Sequence, residues 1–213
     1  MTEGRATDAR TPRGAEATRL GRDDWLDAAY DAVVAGGFDA VRVLPLAETL
    51  GVSRGSFYWH FTDHAALVGA LLDRWFEREC DADRALEAAR SDDPVADLRQ
   101  LLDAALARGG ADLKAMRFEL AIRTLGGQDP AIGRRLAEVD ALRMAVITEK
   151  FARVVGDRAE ARDLAALLYV AVAGAHQAMA RTGSRDGTAV YLRGVIAEHL
   201  IRRVAKAAPD AVS

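Results

Sequence analysis

The sequence LAETLGVSRGSFYWHF, residues 46–61, decides the fold of this chain. Leu46 and Leu50 lie four residues apart, on one face of a short helix. Gly51 follows where that helix has to end, because glycine adopts a left-handed backbone conformation without a steric penalty. Ser53 is a good N-cap, since its hydroxyl can accept a hydrogen bond from the next turn. The stretch therefore predicts two short helices joined by a tight turn, a helix-turn-helix.

The second of these helices has two different faces. Phe57 and Phe61 are four residues apart, and we expect both to point into the core. Arg54 and Tyr58 then lie on the outer face. There a guanidinium can read guanine edges in a DNA major groove, and a phenol ring can contact phosphates or thymine methyl groups. For Trp59 the sequence leaves two interpretations open, packing inside the domain or contact with DNA.

The segment from Gly51 to Phe61, followed by Leu67, resembles the DNA-binding motif of the TetR (tetracycline-repressor-like) family. Gly36-Gly37-Phe38 fits the same pattern, and the close similarity covers roughly residues 22–72. The resemblance implies a homodimeric transcriptional regulator on a double-stranded DNA operator. Its most common form is a repressor released from a palindromic operator by a small-molecule effector. The DNA contacts that the motif implies are Arg42, Ser53, Arg54, Gly55, Ser56, Tyr58, Trp59, His60 and His64.

Two positions depart from the family pattern. Arg42 stands where the family usually has a Thr or Ser that holds a phosphate, and His64 stands where it usually has a Lys. An arginine can also reach a phosphate, whereas a neutral imidazole is a weaker phosphate ligand. Between residues 22 and 68, acidic residues also outnumber the arginines, so the region lacks the usual basic patch. We therefore expect modest nonspecific affinity for DNA and dependence on the valence of a dimer.

The composition indicates a folded protein of a reducing compartment. Half of the 213 residues are hydrophobic, which argues against disorder, and the net charge of −3 gives no global basic signal. The single cysteine, Cys80, cannot form an internal disulfide. The sequence predicts no signal peptide and no membrane span, so we expect a cytoplasmic protein without a membrane partner.

Apolar residues recur at the helical period along the rest of the chain, without a strand pattern or an internal repeat. The sequence predicts an all-α fold in which a disordered tail, residues 1–20, precedes a three-helix helix-turn-helix DNA-binding domain, residues 21–68. A C-terminal helical bundle for ligand binding and dimerisation follows at residues 69–207. Inside it we expect Gly109-Gly110 to end one helix and the last helix to run from about Thr188 to Ala205.

The resemblance also implies a ligand cavity in the C-terminal domain and a dimer interface on its last two helices. Arg123 and His176 would be costly to bury without a partner, which an acidic or hydrogen-bonding effector could supply. The candidate cavity residues are Trp75, Met116, Phe118, Arg123, Met144, Phe151, Tyr169 and His176. The candidate interface residues are the apolar Leu164, Leu168, Val172, Leu192, Ile196 and Leu200.

Parts of the sequence also match a serine hydrolase or other kinds of helical protein. Residues 51–55 spell G-x-S-x-G, the nucleophile motif of serine hydrolases, but that motif requires a preceding strand and the residues before Gly51 predict a helix. We therefore expect no enzyme, no cofactor and no metal site. A ligand-independent regulator, an activator, and a helical protein-interaction or dimerisation module remain open as alternatives.

Overall fold

The structure, a computed structural model, describes residues 20–111, 113–182, 191 and 194–202. Within these ranges the chain forms helices and turns and no strand, so the predicted all-α class is confirmed. The expected N-terminal tail up to residue 19 and part of the last predicted helix, including Leu192, lie outside the described residues.

The helix-turn-helix lies where the sequence predicts it. It consists of α1 (Arg22–Gly36), α2 (Val43–Leu50) and α3 (Arg54–Phe57), with a 3₁₀ turn over Phe38–Ala40. Gly51 ends α2 in the left-handed conformation, with φ of 68°, and its N–H donates to the last carbonyls of that helix.

Side-chain caps fix the helix that follows this motif. The Asp63 carboxylate accepts a hydrogen bond from the Ala66 N–H at 2.8 Å and so begins α4, as its sequence predicts. Ser53 occupies the N-cap position of α3, but its hydroxyl makes no capping hydrogen bond. The prediction of the position is therefore right and the prediction of its hydrogen bond is wrong.

Five long helices form the rest of the described chain. These are α4 (His64–Ala88), α5 (Pro94–Ala111), α6 (Leu113–Gly126), α7 (Pro130–Val155) and α8 (Arg158–Thr182), and a π-helical turn follows at Ala197–Ile201. Gly109 and Gly110 lie inside α5, which continues to Ala111. The expected end of the helix at these glycines is therefore wrong. The expected boundary between residues 68 and 69 falls inside α4, and the two regions therefore share a continuous helix.

One hydrophobic core joins the helix-turn-helix to the C-terminal helices. Trp25 of α1 contacts Phe57 of α3 edge to face, with ring centroids 5.3 Å apart. Phe118 of α6 is fully buried and stacks on Tyr30 of α1 at 4.5 Å. Residues of α7, such as Leu136, belong to the same core. The helix-turn-helix therefore rests on α4 and α6, and the same core continues from these helices to α7.

A buried ion cluster fastens α5 to α7. Asp97 is fully buried, and its carboxylate accepts a hydrogen bond from Lys150 Nζ at 2.6 Å. Arg153 donates to the same carboxylate and, at 2.7 Å, to the Ser91 carbonyl. Removing one member of such a cluster leaves the other charges buried without compensation.

We expect Asp97→Ala to lower the free energy of unfolding by about 3–5 kcal/mol, because Lys150 then stays buried without its counter-charge. Urea unfolding at a fixed protein concentration measures the change. Asp92→Ala, at an exposed aspartate nearby, is the matched control and should leave stability within about 0.5 kcal/mol of the parent chain. Equal effects of the two substitutions would contradict the structural role of Asp97.

Candidate nucleic-acid interface and ligand cavity

The short helix α3 is continued by a hydrogen-bonded turn over residues 58–60, and we call residues 54–61 the recognition segment. This segment presents its polar side chains and two of its aromatic side chains to solvent. Phe57 and Phe61 are 0% and 4% exposed and stack on each other, so they form its inner face. Tyr58 is 53% exposed and Trp59 is 87% exposed, which decides the open question about Trp59 in favour of the outer surface. Arg54 Nη2 lies 3.3 Å from the Tyr58 hydroxyl, so the two side chains lie side by side on that surface.

Three of the predicted DNA-contacting residues line one surface depression, namely Arg42, Arg54 and His64. The Arg42 Nε–H donates to the Asp39 carbonyl at 3.3 Å. His64 Nε2 lies 2.7 Å from the Val41 carbonyl and must carry the hydrogen, because a carbonyl oxygen only accepts. This bond holds the imidazole at the N-terminus of α4, where free backbone N–H groups favour an anion.

The other predicted contacts lie on or beside the same helix. Ser53 and Gly55 are exposed, whereas Ser56 and His60 are half-buried. Leu44, at the start of α2, is 56% exposed but is not among the predicted DNA contacts. An apolar residue in a helix gives no sequence signal of its exposure.

Ion pairs with the C-terminal helices neutralise part of the acidic charge on α1. Asp27 pairs with Arg74 of α4 at 2.8 Å, and Asp31 pairs with Lys114 of α6 at 2.7 Å. These partners lie beyond the helix-turn-helix in sequence, so a charge count over that region alone overstates its negative character.

A cavity of about 110 Å³ lies between α4, α5, α6, α7 and α8. Five of the eight predicted cavity residues line it, and these are Trp75, Met116, Arg123, Tyr169 and His176.

The other three predicted cavity residues point elsewhere. Phe118 stacks against α1, and Phe151 is fully buried in a second core between α5, α7 and α8. Met144 is half-buried against that core and lines a separate surface depression. The first two assignments are therefore corrected to core positions and the third to the surface, because periodicity alone does not tell which side of a buried helix faces a cavity.

Arg123 is held by protein carboxylates. Its guanidinium donates to Glu119 at 2.8 and 3.0 Å and, in a two-pronged contact, to Asp140 at 2.8 and 3.0 Å. Burial opposes ionisation of Glu119, but Arg143 and Arg123 together hold the pKa of its carboxyl below the usual value. The expectation that an acidic effector is the partner of Arg123 is therefore unnecessary.

Arg143 connects three helices inside the cavity wall. It donates to Glu79 of α4 at 2.6 Å and to Glu119 of α6 at 3.0 Å, and its Nε lies 3.4 Å from Asp83. Sequence reasoning missed Arg143, Glu79 and Asp83. Only the Glu119–Arg123 pair has the i, i+4 spacing that a sequence can reveal, whereas the other pairs join separate helices.

The fold and the exposed turn define a helix-turn-helix protein with a helical, cavity-bearing region attached. Residues 26–71 match the model of the bacterial regulatory proteins, tetR family. Over 93 residues the chain is 38% identical to the HTH-type transcriptional regulator TtgR of Pseudomonas putida. Both similarities lie in the part of the chain that contains the helix-turn-helix, and there the chain is similar to TetR-family regulators.

The similarity in sequence covers 44% of this chain and 43% of TtgR, so the chain matches less than half of that relative's length. Two solved structures extend the likeness in fold. A regulator from Saccharomonospora viridis in complex with choline has a TM-score of 0.67 at 21% identity, over 84% of this chain and 95% of that one. FadR of Bacillus subtilis in complex with stearoyl-CoA has a TM-score of 0.65 at 12% identity, over 85% and 98%.

His176 makes the stability of the chain depend on pH. Its Nε2 lies 3.2 Å from the Ala105 carbonyl, and burial lowers its pKa below that of an unfolded histidine. As the pH falls, the unfolded chain therefore binds this proton first, and the folded state loses stability. Between about pH 7 and about pH 5 we expect the Tm of His176→Gln to fall less than the Tm of the parent chain.

Thermal melts of both proteins in matched buffers measure this difference. His199→Gln, at an exposed histidine, controls for the substitution itself and should follow the parent curve. Parallel curves for the parent chain and His176→Gln would show that burial of this ring does not set the pH dependence.

Proposed function

We propose that the chain is a sequence-specific, DNA-binding transcriptional regulator that acts as a homodimer. In this proposal the protein is a repressor that a small-molecule effector releases from a palindromic operator. The outer face of α3 carries this proposal, because Arg54, Tyr58 and Trp59 face solvent there while the phenylalanines of the same helix are buried. Exposed aromatic rings beside a guanidinium suit a major groove better than water.

The contacts with DNA divide into two kinds. Arg54 and Tyr58 would meet base edges, because they lie on the outer face of the helix that enters the groove. Arg42 and His64 would meet phosphates, because both lie at the N-termini of helices beside the same depression. This division predicts that the first pair sets sequence preference and the second pair sets general affinity.

The apolar surface of α8 supports dimerisation. The segment Arg158–Ala180 is long and apolar enough, by length and composition, to cross a membrane, yet only 28% of its apolar window is buried in the chain. Leu167 is 62% exposed and Val170 is 68% exposed. We assign this surface to a second copy of the chain, since exposed apolar area of this kind marks interaction sites and a two-fold dimer matches a palindromic operator.

The interface that we propose uses exposed residues of α8 in place of the buried residues expected from the sequence. Leu168 and Ile196 are 2% and 7% exposed and belong to the core of their own chain, and Leu164, Val172 and Leu200 are half-buried. Leu192 lies outside the described residues. The interface that we propose is therefore centred on the exposed Leu167 and Val170.

The cavity is connected to the helix-turn-helix through two helices. Trp75 of α4 lines the cavity, and the same helix begins with His64 at the DNA face. Met116 of α6 also lines the cavity, two residues before Phe118, which stacks on α1. A ligand that moves either helix would change the spacing of the two recognition helices, which must lie about 34–36 Å apart on DNA.

The similar structures in complex with choline and with stearoyl-CoA support a ligand in the helical region. These two ligands differ greatly in charge and size, so the fold does not determine the effector. The side chains that line the cavity of this chain decide it.

Selection of bound sequences from random duplexes tests the proposed function. Enrichment of a palindromic motif by the full chain is the expected result. Absence of any enriched motif would overturn the proposal in favour of a helical interaction module.

We expect Arg54→Ala to weaken binding to the selected operator by about 1–3 kcal/mol and to relax preference at one base step in each half-site, because a guanidinium can bind guanine through two hydrogen bonds. Titration of selected and scrambled duplexes at one salt concentration measures both effects. Arg84→Ala, at an exposed arginine of α4, should change neither. Equal losses on the two duplexes would make Arg54 a phosphate contact instead.

Val170→Glu should yield a monomer in sedimentation experiments, because it places a carboxylate in the proposed interface. Operator affinity should fall by about 10²–10⁴-fold, since the two half-sites are then bound independently. Val170→Thr keeps the shape without the charge and should remain dimeric. A Glu variant that stays dimeric and binds normally would place the interface elsewhere.

A further inference from the structure

The charged side chains that line the cavity are unevenly balanced. Three carboxylates line it, Glu79 and Asp83 of α4 and Glu119 of α6. The cations that line it are two, Arg123 and Arg143. The side chains that line the cavity therefore carry more negative than positive charge, even before neighbouring groups are counted.

A fourth carboxylate increases this excess. Asp140 accepts two hydrogen bonds from Arg123, at 2.8 and 3.0 Å, although Arg123 also serves Glu119. Arg143 and the half-exposed Arg78, whose Nη2 lies 3.5 Å from Glu79, then face the carboxylates of α4, so that four carboxylates meet three arginines around the cavity. The imidazole of His176 does not offset the excess near neutral pH, since burial lowers its pKa.

The charged side chains of this cluster are largely buried. A charge that a ligand brings into the cavity therefore interacts strongly with them. The Arg143 side chain is 16% exposed, and the side chains of Glu79 and Asp83 are 13% and 5% exposed. At such sites charges interact more strongly than at a surface. An entering cation would relieve the carboxylate excess, whereas an entering anion would add to it.

The remaining walls favour an apolar ligand of small size. Met116, Leu101 and Val146 line the cavity together with the rings of Trp75 and Tyr169. Its volume of about 110 Å³ lies well below the roughly 300–1,000 Å³ of pockets for drug-sized ligands. A protonated amine would present three N–H donors to the carboxylates, and the aromatic rings would attract its positive charge.

We infer that the cavity binds a compact organic cation, a protonated amine on an apolar body. Its ammonium group lies against Glu79, Asp83 and Glu119, and its apolar body lies against Trp75 and Met116. The inference rests on the proposed function, because this ligand is the effector there, and it adds the chemical class of that effector.

Three compounds with one carbon skeleton test the inference: cyclohexylmethylamine, cyclohexylmethanol and cyclohexanecarboxylate. Calorimetric titration of the full chain near neutral pH compares the ammonium, neutral and anionic forms. We expect the amine to bind about tenfold or more tightly than the alcohol, since hydrogen bonds to charged groups are the stronger ones. Equal binding of amine and alcohol, tighter binding of the carboxylate, or no binding of the amine would overturn the inference.

Substitutions locate the binding site. Glu79→Gln should weaken binding of the amine by about tenfold and leave the alcohol unchanged, because it removes charge and preserves shape. The control is Glu77→Gln, at an exposed glutamate of the same helix. If circular dichroism shows that Glu79→Gln does not fold, Asp83→Asn serves the same purpose. Equal losses for amine and alcohol, or an equal effect of the control, would contradict the proposed site.

DNA binding separates failure of this inference from failure of the proposed function. A chain that selects a palindromic duplex but does not prefer the amine overturns only the inferred ligand class. A chain that prefers the amine but selects no duplex supports the inferred ligand class and overturns the regulatory function.

Discussion

The ion network around Arg143 is the constraint on which the C-terminal region depends. Charged groups can be buried only when they are paired at hydrogen-bonding distance, and here the partners of Arg143 come from α4 and α6 while Arg143 itself belongs to α7. These three helices cannot slide past one another without leaving a charge unpaired. The network also occupies space that apolar side chains would otherwise fill, and the cavity lies directly beside it.

The same helices hold the helix-turn-helix. The stack of Phe118 on Tyr30 and the ion pair of Lys114 with Asp31 both join α6 to α1, while α4 is shared by the two regions. Because one hydrophobic core includes residues of both, the recognition helix cannot change its position independently of the cavity. Under the proposed function, a shift of α4 or α6 would therefore link the cavity to the DNA face without a separate hinge.

The sequence predicted the features that local chemistry determines. Gly51 ends α2, Asp63 caps α4, and Phe57 and Phe61 form the inner face of α3, because turns, caps and short helical faces depend on neighbouring residues. The pairs of Arg143 join separate helices and have no spacing in sequence. The exposed residues Leu167 and Val170 of α8 were not singled out, because a helix rich in alanine and leucine is apolar on most sides and periodicity does not identify the exposed one.

Two of the acidic residues of the helix-turn-helix form ion pairs with the C-terminal helices. Asp27 and Asp31 dock α1 onto α4 and α6, so their charge serves the contact between the two regions rather than the DNA face. Under the proposed function, each half-site would be held weakly because few cations lie near the DNA face, and phosphate contacts supply most nonspecific affinity. Tight binding would then require that two half-sites be engaged together, and it would be lost when their spacing changes slightly. In that proposal a small movement in the cavity would be sufficient for control, since the weakness of each half-site would make the geometry of the proposed dimer decisive.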